Sequence, residues 1–179
     1  MAPVDIIKKY YEEGSLLYNI LFVHSLAVAN KALNIVQMHP ELNIDKDFVY
    51  EAALLHDIGI FKTNAPKIHC FGNFKYVCHG YLGAEIMRKE GFEKHALVCE
   101  RHTGSGLTKE SIIQNQLPIP QKDMLPVSWE EKLICFSDKF YSKSKLNKVK
   151  TVEQIRKDLS KYGDESVKRF NEMLKLFLG

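Results

Sequence analysis

Apolar positions recur along most of this chain with the period of an α-helix. In the stretch from 15 to about 38, this spacing places His24 on a mostly apolar face. Ser15 is a suitable N-cap for the helix, and Pro40 prevents its continuation. The apolar face consists of Leu17, Ile20 or Leu21, Val28 and Ile35.

The same periodicity predicts further helices, separated by glycine, proline and asparagine. They cover 3–13, 45–59, 80–90, 93–103, 108–116, 128–141, 151–161 and 164–178. Periodicity fails between 60 and 78, which predicts a long irregular loop. Strand alternation is not evident, so the predicted fold is all-α, a single-domain helical bundle over 1–179 whose C-terminal helices pack on the core.

Composition places the chain among ordinary globular domains. Its 179 residues are 45% hydrophobic and 26% charged, and the net charge is +3. This charge is too small to indicate a nucleic-acid partner or a membrane surface. No stretch is expected to reach the roughly 20 apolar residues of a membrane span.

The N-terminal region does not have the pattern of a signal peptide. Glu12 and Glu13 precede its apolar part and His24 interrupts it, which is typical of an amphipathic helix. The cysteines at 70, 78, 99 and 135 form no CxxC pair. Reduced thiols and a cytoplasmic location are therefore expected.

The sequence at 51–59 sets His56 directly beside Asp57 after a run of good helix formers, and Gly59 follows. A carboxylate is costly to bury at the end of an apolar helix unless something neutralises it. One interpretation is a structural aspartate that caps or ion-pairs while the histidine packs. The other is a divalent cation, because imidazole and carboxylate are both metal ligands.

Four other side chains bear on the choice between a structural aspartate and a metal site. His24 and Asp138 both lie on otherwise apolar helix faces, whereas His79 opens one helix and His102 ends another. Each has an ordinary structural explanation by itself, as a core histidine or a favourable charge at a helix end. Together, four imidazoles and two carboxylates suffice for a pair of metal ions.

The ordered set His24, His56-Asp57, His79, His102 and Asp138 resembles the HD phosphohydrolase superfamily, and 56–59, His-Asp-Ile-Gly, resembles its HDIG-type variant. The resemblance covers roughly 16–145. It extends to small stand-alone prokaryotic HD-domain proteins in the segments 79–85 and 100–104. It implies that one metal is held by His24, His56, Asp57 and Asp138. His79 and His102 match the subset with a second ion, and Asp57 would bridge the two.

The resemblance implies a phosphohydrolase that acts on a nucleotide or a related phosphate ester through metal-activated water. Iron or manganese is favoured, with zinc, cobalt or nickel as further candidates. Lys139, Lys143 and Lys145 are candidate contacts for substrate phosphate, although a solvated basic face is the preferred interpretation of such a run. Lys62, His69 and Arg101 are further catalytic candidates, with His69 a candidate proton donor.

Two other functions use the same residues. Some di-iron proteins of the superfamily are oxygenases, and their ligand set would be identical. A non-catalytic nucleotide- or RNA-binding module is suggested by the lysine run after Asp138. Binding by such a module would need no metal and would weaken steeply with salt.

Overall fold

The computed structural model describes residues 2–179 and confirms the all-α prediction. Within this range, nine α-helices are α1 (Pro3–Tyr10), α2 (Leu16–Met38), α3 (Lys46–Leu55), α4 (His79–Lys89), α5 (Glu93–Arg101), α6 (Lys109–Gln114), α7 (Trp129–Asp138), α8 (Val152–Leu159) and α9 (Asp164–Leu178). Short 3-10 turns occur at Pro40–Leu42, Ile60–Lys62, Pro66–Ile68, Tyr76–Cys78 and Ser160–Tyr162.

The long loop after α3 contains a small hairpin that the sequence pattern did not indicate. Its strands, β1 (Asn64–Ala65) and β2 (Cys70–Phe71), are antiparallel, with Asn64 opposite Phe71. Two residues are too few to show an alternation of apolar and polar positions, which explains why no strand was predicted.

Helix starts agree with the predicted caps. The side chains of Ser15, Asp45 and Ser128 each accept a hydrogen bond from the backbone N–H three residues later. Helix ends differ more: α3 stops at Leu55 and α7 stops at Asp138, each several residues before its predicted end. The histidine–aspartate pair therefore lies in the turns after α3, and Asp138 is the last residue of α7.

The core is built around α2, which packs against α3 and α7, while α4 packs on α5. The C-terminal α9 packs on α7, where Phe136, Phe170 and Phe177 are fully buried. The ring centroids of Phe136 and Phe170 are 5.5 Å apart. A helical bundle of this kind places the inward faces of α2, α3, α5 and α7 around one central region.

The expectation that no stretch approaches a membrane span needs correction for α2. This helix is long enough and apolar enough to cross a membrane by length and composition alone. The core helix of a globular protein passes the same test. In this structure, one face of α2 packs against α3 and α7 and carries buried His24.

Two glycines permit the closest backbone approaches near the center of the bundle. A Cβ atom at Gly59 would lie 2.3 Å from the backbone oxygen of His79, and one at Gly80 would lie 2.7 Å from the backbone oxygen of Cys99. Neither position has room for a side chain. Gly59 therefore lets the start of α4 pack on the turn after α3, and Gly80 lets α4 lie against α5.

Candidate metal centre

The six predicted ligand residues converge at the center of the bundle, and all six are buried. They form two groups of ligand atoms that could each hold a metal ion: His24, His56, Asp57 and Asp138 in the first, and Asp57, His79 and His102 in the second. The sequence predicts two ligand groups that share Asp57, and the folded chain places the side chains in that arrangement.

Asp57 is the residue that the two groups share. Its Oδ2 lies 3.2 Å from His24 Nε2 and 3.0 Å from His56 Nε2. Its Oδ1 lies 3.4 Å from the Nε2 atoms of both His79 and His102. Each oxygen of this carboxylate thus faces a different group.

Asp138 completes the first group from α7. Its Oδ1 lies 3.0 Å from His24 Nε2 and 3.4 Å from His56 Nε2. The first group therefore combines two imidazole nitrogens with two carboxylate oxygens, contributed by α2, the turn after α3, and α7.

Backbone carbonyls orient three of the four histidines. His56 Nδ1 lies 2.7 Å from the Ala53 oxygen, His79 Nδ1 lies 2.7 Å from the Tyr76 oxygen, and His102 Nδ1 lies 2.8 Å from the Cys99 oxygen. Each histidine follows a helical turn and donates Nδ1–H to the carbonyl three residues earlier. In the neutral imidazole, this bond leaves the Nε2 lone pair free for a metal.

The carboxylates dominate the electrostatics of the first group. Burial alone would raise the pKa of Asp57, but the charges of His56 and Lys143 outweigh it and hold that pKa well below its ordinary value. Burial would likewise lower the pKa of His56, but Asp57 and Asp138 raise it to about 9. Both pKa shifts have the same cause: the two buried carboxylates are stabilised by nearby positive charge, and they in turn stabilise the protonated form of His56.

In the second group the histidine pKa values are lowered, whereas that of His56 in the first group is raised. Burial lowers the pKa of His79 to about 3, against the opposing effect of Asp57, and burial also lowers the pKa of His102. Both imidazoles are therefore neutral at physiological pH, which is the form that binds a metal.

The buried polar atoms support a cation at this position. Asp57 Oδ1 is buried without a hydrogen-bond partner, and the atoms that face it are the Nε2 atoms of His79 and His102, which carry no proton when these rings are neutral and donate through Nδ1. A buried carboxylate oxygen is costly to leave unpaired. Imidazole nitrogens and carboxylate oxygens around a common point are the donor set of first-row divalent metals, so the residues present fit such an ion.

Some of the lysines that follow Asp138 contact the predicted metal ligands, and others are exposed at the surface. Lys143 Nζ lies 2.5 Å from Asp57 Oδ2, and Lys139 Nζ lies 2.6 Å from Asp138 Oδ2. Lys139 also donates to the backbone oxygen of His102 at 3.0 Å. The alternative interpretation of the whole run as a solvated face is wrong for these two residues, whereas Lys145 and Lys148 are exposed.

The other three catalytic candidates lie away from this cluster. Arg101 Nη1 pairs with Glu131 Oε2 at 2.9 Å, which links α5 to α7. His69 is exposed in a left-handed backbone conformation, with φ of 59°, and Lys62 is half-buried at the end of a 3-10 turn. None of the three lines the cavity beside the metal ligands.

That cavity has a volume of about 340 Å³ and reaches the ligands His79 and Asp138. Lysines line it from three parts of the chain: Lys67 in the loop after α3, Lys139 and Lys143 after α7, and Lys150 and Lys161 in the C-terminal region. Tyr76, Tyr141 and Tyr162 also contribute to its walls. The site therefore opens into a predominantly basic, tyrosine-lined space.

Two contributions to this region were not found by sequence reasoning. The Tyr76 ring stacks on His79, with centroids 4.6 Å apart, and lies in a segment without periodicity that carries no signal for such a role. His95 is not among the residues that the sequence predicts to be buried, yet it lies between Phe48 and Phe92, with Nε2 3.5 Å from Glu51 Oε2. Its position on the apolar side of α5 is a signal that helical periodicity could have supplied.

The fold and the cluster together define a helical protein with paired histidine–aspartate ligand groups. The model of the HD domain family matches residues 21–143, which contain all six ligand residues. The chain therefore belongs to the HD domain family. This membership and the buried cluster support placement among metal-dependent hydrolases.

Two relatives match parts of the chain. An uncharacterized protein of Methanocaldococcus jannaschii is 40% identical over 118 residues, which cover 64% of this chain and 62% of that protein. A tRNA (cytidine(56)-2'-O)-methyltransferase of Picrophilus torridus is 35% identical over 107 residues, 59% of this chain and 28% of that protein. The chain thus spans less than two thirds of either relative. The search of solved structures finds no match.

Proposed function

We propose that this protein is a metal-dependent phosphohydrolase that acts on a nucleotide or a related phosphate ester. The observation that carries the proposal is the position of Asp57, a fully buried carboxylate whose two oxygens face two different groups of imidazole nitrogens. A single carboxylate in this position suits a bridge between two divalent ions. Iron or manganese is favoured, and zinc, cobalt or nickel would also suit these ligands.

Divalent ions held here would supply a nucleophile from water at neutral pH and would stabilise charge on phosphoryl oxygens. The residues that would hold them are His24, His56, Asp57 and Asp138 for one ion, and Asp57, His79 and His102 for the other. The Nδ1–H bonds of His56, His79 and His102 keep their Nε2 atoms aimed at the site.

The lysines would then have separate tasks. Lys139 is held by Asp138 and the backbone oxygen of His102, so it fixes the direction of the Asp138 carboxylate. Lys143 reaches Asp57 from the cavity wall and would contact the phosphoryl group of a substrate bound there. A positively charged cavity next to the ligands favours an anionic substrate.

Metal analysis of the purified protein, followed by a phosphate-release screen with each metal restored, tests this proposal. The screen should cover nucleotides and other phosphate esters, and it should include tRNA because one partial relative is named as a tRNA methyltransferase. Assays under anaerobic conditions separate a hydrolase, which continues without oxygen, from a di-iron oxygenase, which stops.

The matched variants are Asp57→Ala and His69→Ala. The first removes the shared carboxylate, and we expect it to abolish both bound metal and phosphate release. The second replaces an exposed histidine outside the cluster and should change neither. Retention of metal and activity by Asp57→Ala would refute the proposal.

The location of the protein is part of the same proposal. Cys70, Cys78, Cys99 and Cys135 are all free and buried. Four unpaired thiols fit a reducing compartment, and we propose that the protein works in the cytoplasm.

A further inference from the structure

The cavity beside the metal ligands continues beyond the part of the chain that matches the family. The family match ends at residue 143, yet one wall of the cavity is built from the segment 150–162. This C-terminal wall consists of Lys150, Ile155, Asp158, Leu159, Lys161 and Tyr162. The end of the cavity at the metal ligands thus lies within the matched region, and the end built from 150–162, called the outer end here, lies beyond that match.

The C-terminal wall is anchored in the core. Ile155 and Leu159 are 1% and 3% exposed and belong to the same apolar cluster as Phe136 and Phe170. The start of the wall is also fixed, because Lys150 N donates to the Phe140 oxygen at 2.8 Å. A wall held in this way is formed before a ligand arrives, which lowers the entropic cost of binding.

Tyr162 holds the wall against the family region. Its ring carbon Cδ2 would lie 3.5 Å from a Cβ atom at Gly104, two residues after His102. The side chain packs against the C-terminal apolar cluster and also against the cluster around Leu107 and Met124. It remains half-buried and lines the cavity, so part of the ring is available to a ligand.

The charge next to this ring is positive. Lys161 Nζ lies 5.2 Å from the centroid of the Tyr162 ring. Within residues 2–179, Lys161 and Lys67 make no ion pair, whereas Lys150 pairs with Asp158 at 2.7 Å. The cavity wall thus combines the Tyr162 ring with two lysines, Lys67 and Lys161, that are not neutralised by a carboxylate.

We propose that the C-terminal wall selects the substrate, and that Tyr162 stacks on a planar base in the part of the substrate that is not transferred. This inference rests on the proposed function in one respect, that the substrate phosphate binds next to the metal ligands, where Lys143 lies beside Asp57. Aromatic side chains bind bases through their faces whatever the base. A ligand of mononucleotide size is therefore preferred over a phosphate ester that lacks a planar base.

Equilibrium binding of two probes to the metal-loaded protein tests this inference. The probes are the phosphonate analogues of AMP and of ribose 5-phosphate in which a CH₂ group replaces the ester oxygen, so that neither is hydrolysed. We expect Tyr162→Leu to weaken binding of the AMP analogue about tenfold, the worth of one base–aromatic stack. Binding of the ribose analogue should stay within about twofold, since it makes no stack.

Tyr162→Phe is the matched control, because it keeps the ring and should bind both probes as the wild type does. If the leucine variant does not fold, Tyr162→Met fills a similar volume without a ring and takes its place. Equal weakening for both probes would overturn the inference by showing a purely structural role. Absence of any effect, or failure of the wild type to bind the AMP analogue, would also overturn it.

The outcome is separable from that of the proposed function. Suppose that the AMP analogue binds in a way that depends on Tyr162, but that no ester releases phosphate. This result would refute the phosphohydrolase function and support the role of Tyr162 in binding a base. Phosphate release with equal efficiency from AMP and ribose 5-phosphate would support the hydrolase and refute the wall.

Discussion

His79 and His102 approach each other with their Nε2 atoms 3.0 Å apart, while the Nδ1 of each lies within hydrogen-bond distance of a backbone carbonyl. If both imidazoles are neutral and both donate through Nδ1, two nitrogen lone pairs face each other in a buried space. This arrangement is unfavourable unless a cation lies between or beside the two nitrogens. The geometry therefore favours a second metal ion beside Asp57 Oδ1.

Replacement of one of these histidines should remove one ion selectively. We expect His102→Ala to lower the bound metal from two ions to one per chain, because the first group keeps all four of its ligands. Metal analysis by mass spectrometry after dialysis measures this stoichiometry. His95→Ala is the control, a buried histidine outside both groups in α5, the helix that His102 directly follows, and it should retain both ions. Two ions in His102→Ala would contradict the assignment.

The close approach at Gly59 should be sensitive to a single methyl group. In Gly59→Ala, the new Cβ would collide with the backbone of His79 and Gly83, and backbone atoms cannot move aside cheaply. We expect a loss of about 1–3 kcal/mol in the free energy of unfolding, typical of overpacking. Urea unfolding followed by circular dichroism measures this loss.

Gly83→Ala is the comparison for that variant. A Cβ at Gly83 would meet its neighbours at 3.3–3.5 Å, so a small adjustment accommodates it, and alanine also favours the helix. We expect no loss of stability and a gain of up to about 1 kcal/mol. Equal destabilisation by the two substitutions would show that close backbone contact at Gly59 is not the cause.

The metal-free protein should lose stability as the pH rises from about 6.5 to 9. The pKa of His56 is raised to about 9 in the folded state, chiefly by Asp57 and Asp138 against the effect of burial. A raised folded-state pKa contributes stability that is complete below the unfolded value of roughly 6.5 and is lost as the pH passes the folded value. Urea unfolding in the presence of a chelator at pH 6, 7.5 and 9 measures the trend.

His56→Gln should flatten that trend, because the titrating group is gone, whereas His69→Gln should leave it unchanged. The lowered pKa values of His79 and His102 act in the opposite direction, since their stabilisation is complete above about 6.5 and is lost on acidification. They do not contribute between pH 6.5 and 9. An unchanged alkaline trend in His56→Gln would assign it to another group.

Arg101 should matter for stability more than for phosphate release. Its guanidinium pairs with Glu131 Oε2, which also accepts the backbone N–H of Val127 at 2.8 Å. We expect Arg101→Met to lower the free energy of unfolding by about 1–3 kcal/mol, because it leaves a largely buried carboxylate without its cation. Phosphate release should fall less than about threefold, since the group does not touch the site.

Lys62→Met is the matched control for Arg101. Within residues 2–179 Lys62 makes no ion pair, so its replacement should change stability by no more than about 0.5 kcal/mol. A folded Arg101→Met variant that releases phosphate a hundredfold more slowly would instead support the catalytic role predicted from sequence.

The pattern of apolar positions in a single helix was sufficient to predict which ligand side chains point into the core. Helical spacing placed His24 on the buried face of α2, and the cost of burying Asp57 made a cation one of two interpretations, which Asp138 on a second apolar helix face then favoured. The relation between His79 and His102 was not predictable in the same way. It depends on how closely α4 approaches α5 and the turn after α3, which Gly59 and Gly80 decide through contacts distant in sequence.

The lysines show a second limit of sequence reasoning. Lys143 reaches Asp57 because α7 ends at Asp138 and the chain then turns, whereas a helix continuing to Tyr141 would have aimed the next residues differently. Tyr162 enters the cavity from a segment far along the chain, held there by packing that periodicity alone does not specify.

The three carbonyl groups that accept Nδ1–H bonds belong to Ala53, Tyr76 and Cys99, and every amino acid carries this acceptor. Many metal sites orient their histidines with carboxylate side chains, and loss of such a partner typically costs 10–100-fold in affinity. Here, side-chain exchange at those three positions would leave the acceptors in place. The tautomers of these three histidines are therefore set by the path of the backbone and do not depend on which side chains occupy positions 53, 76 and 99.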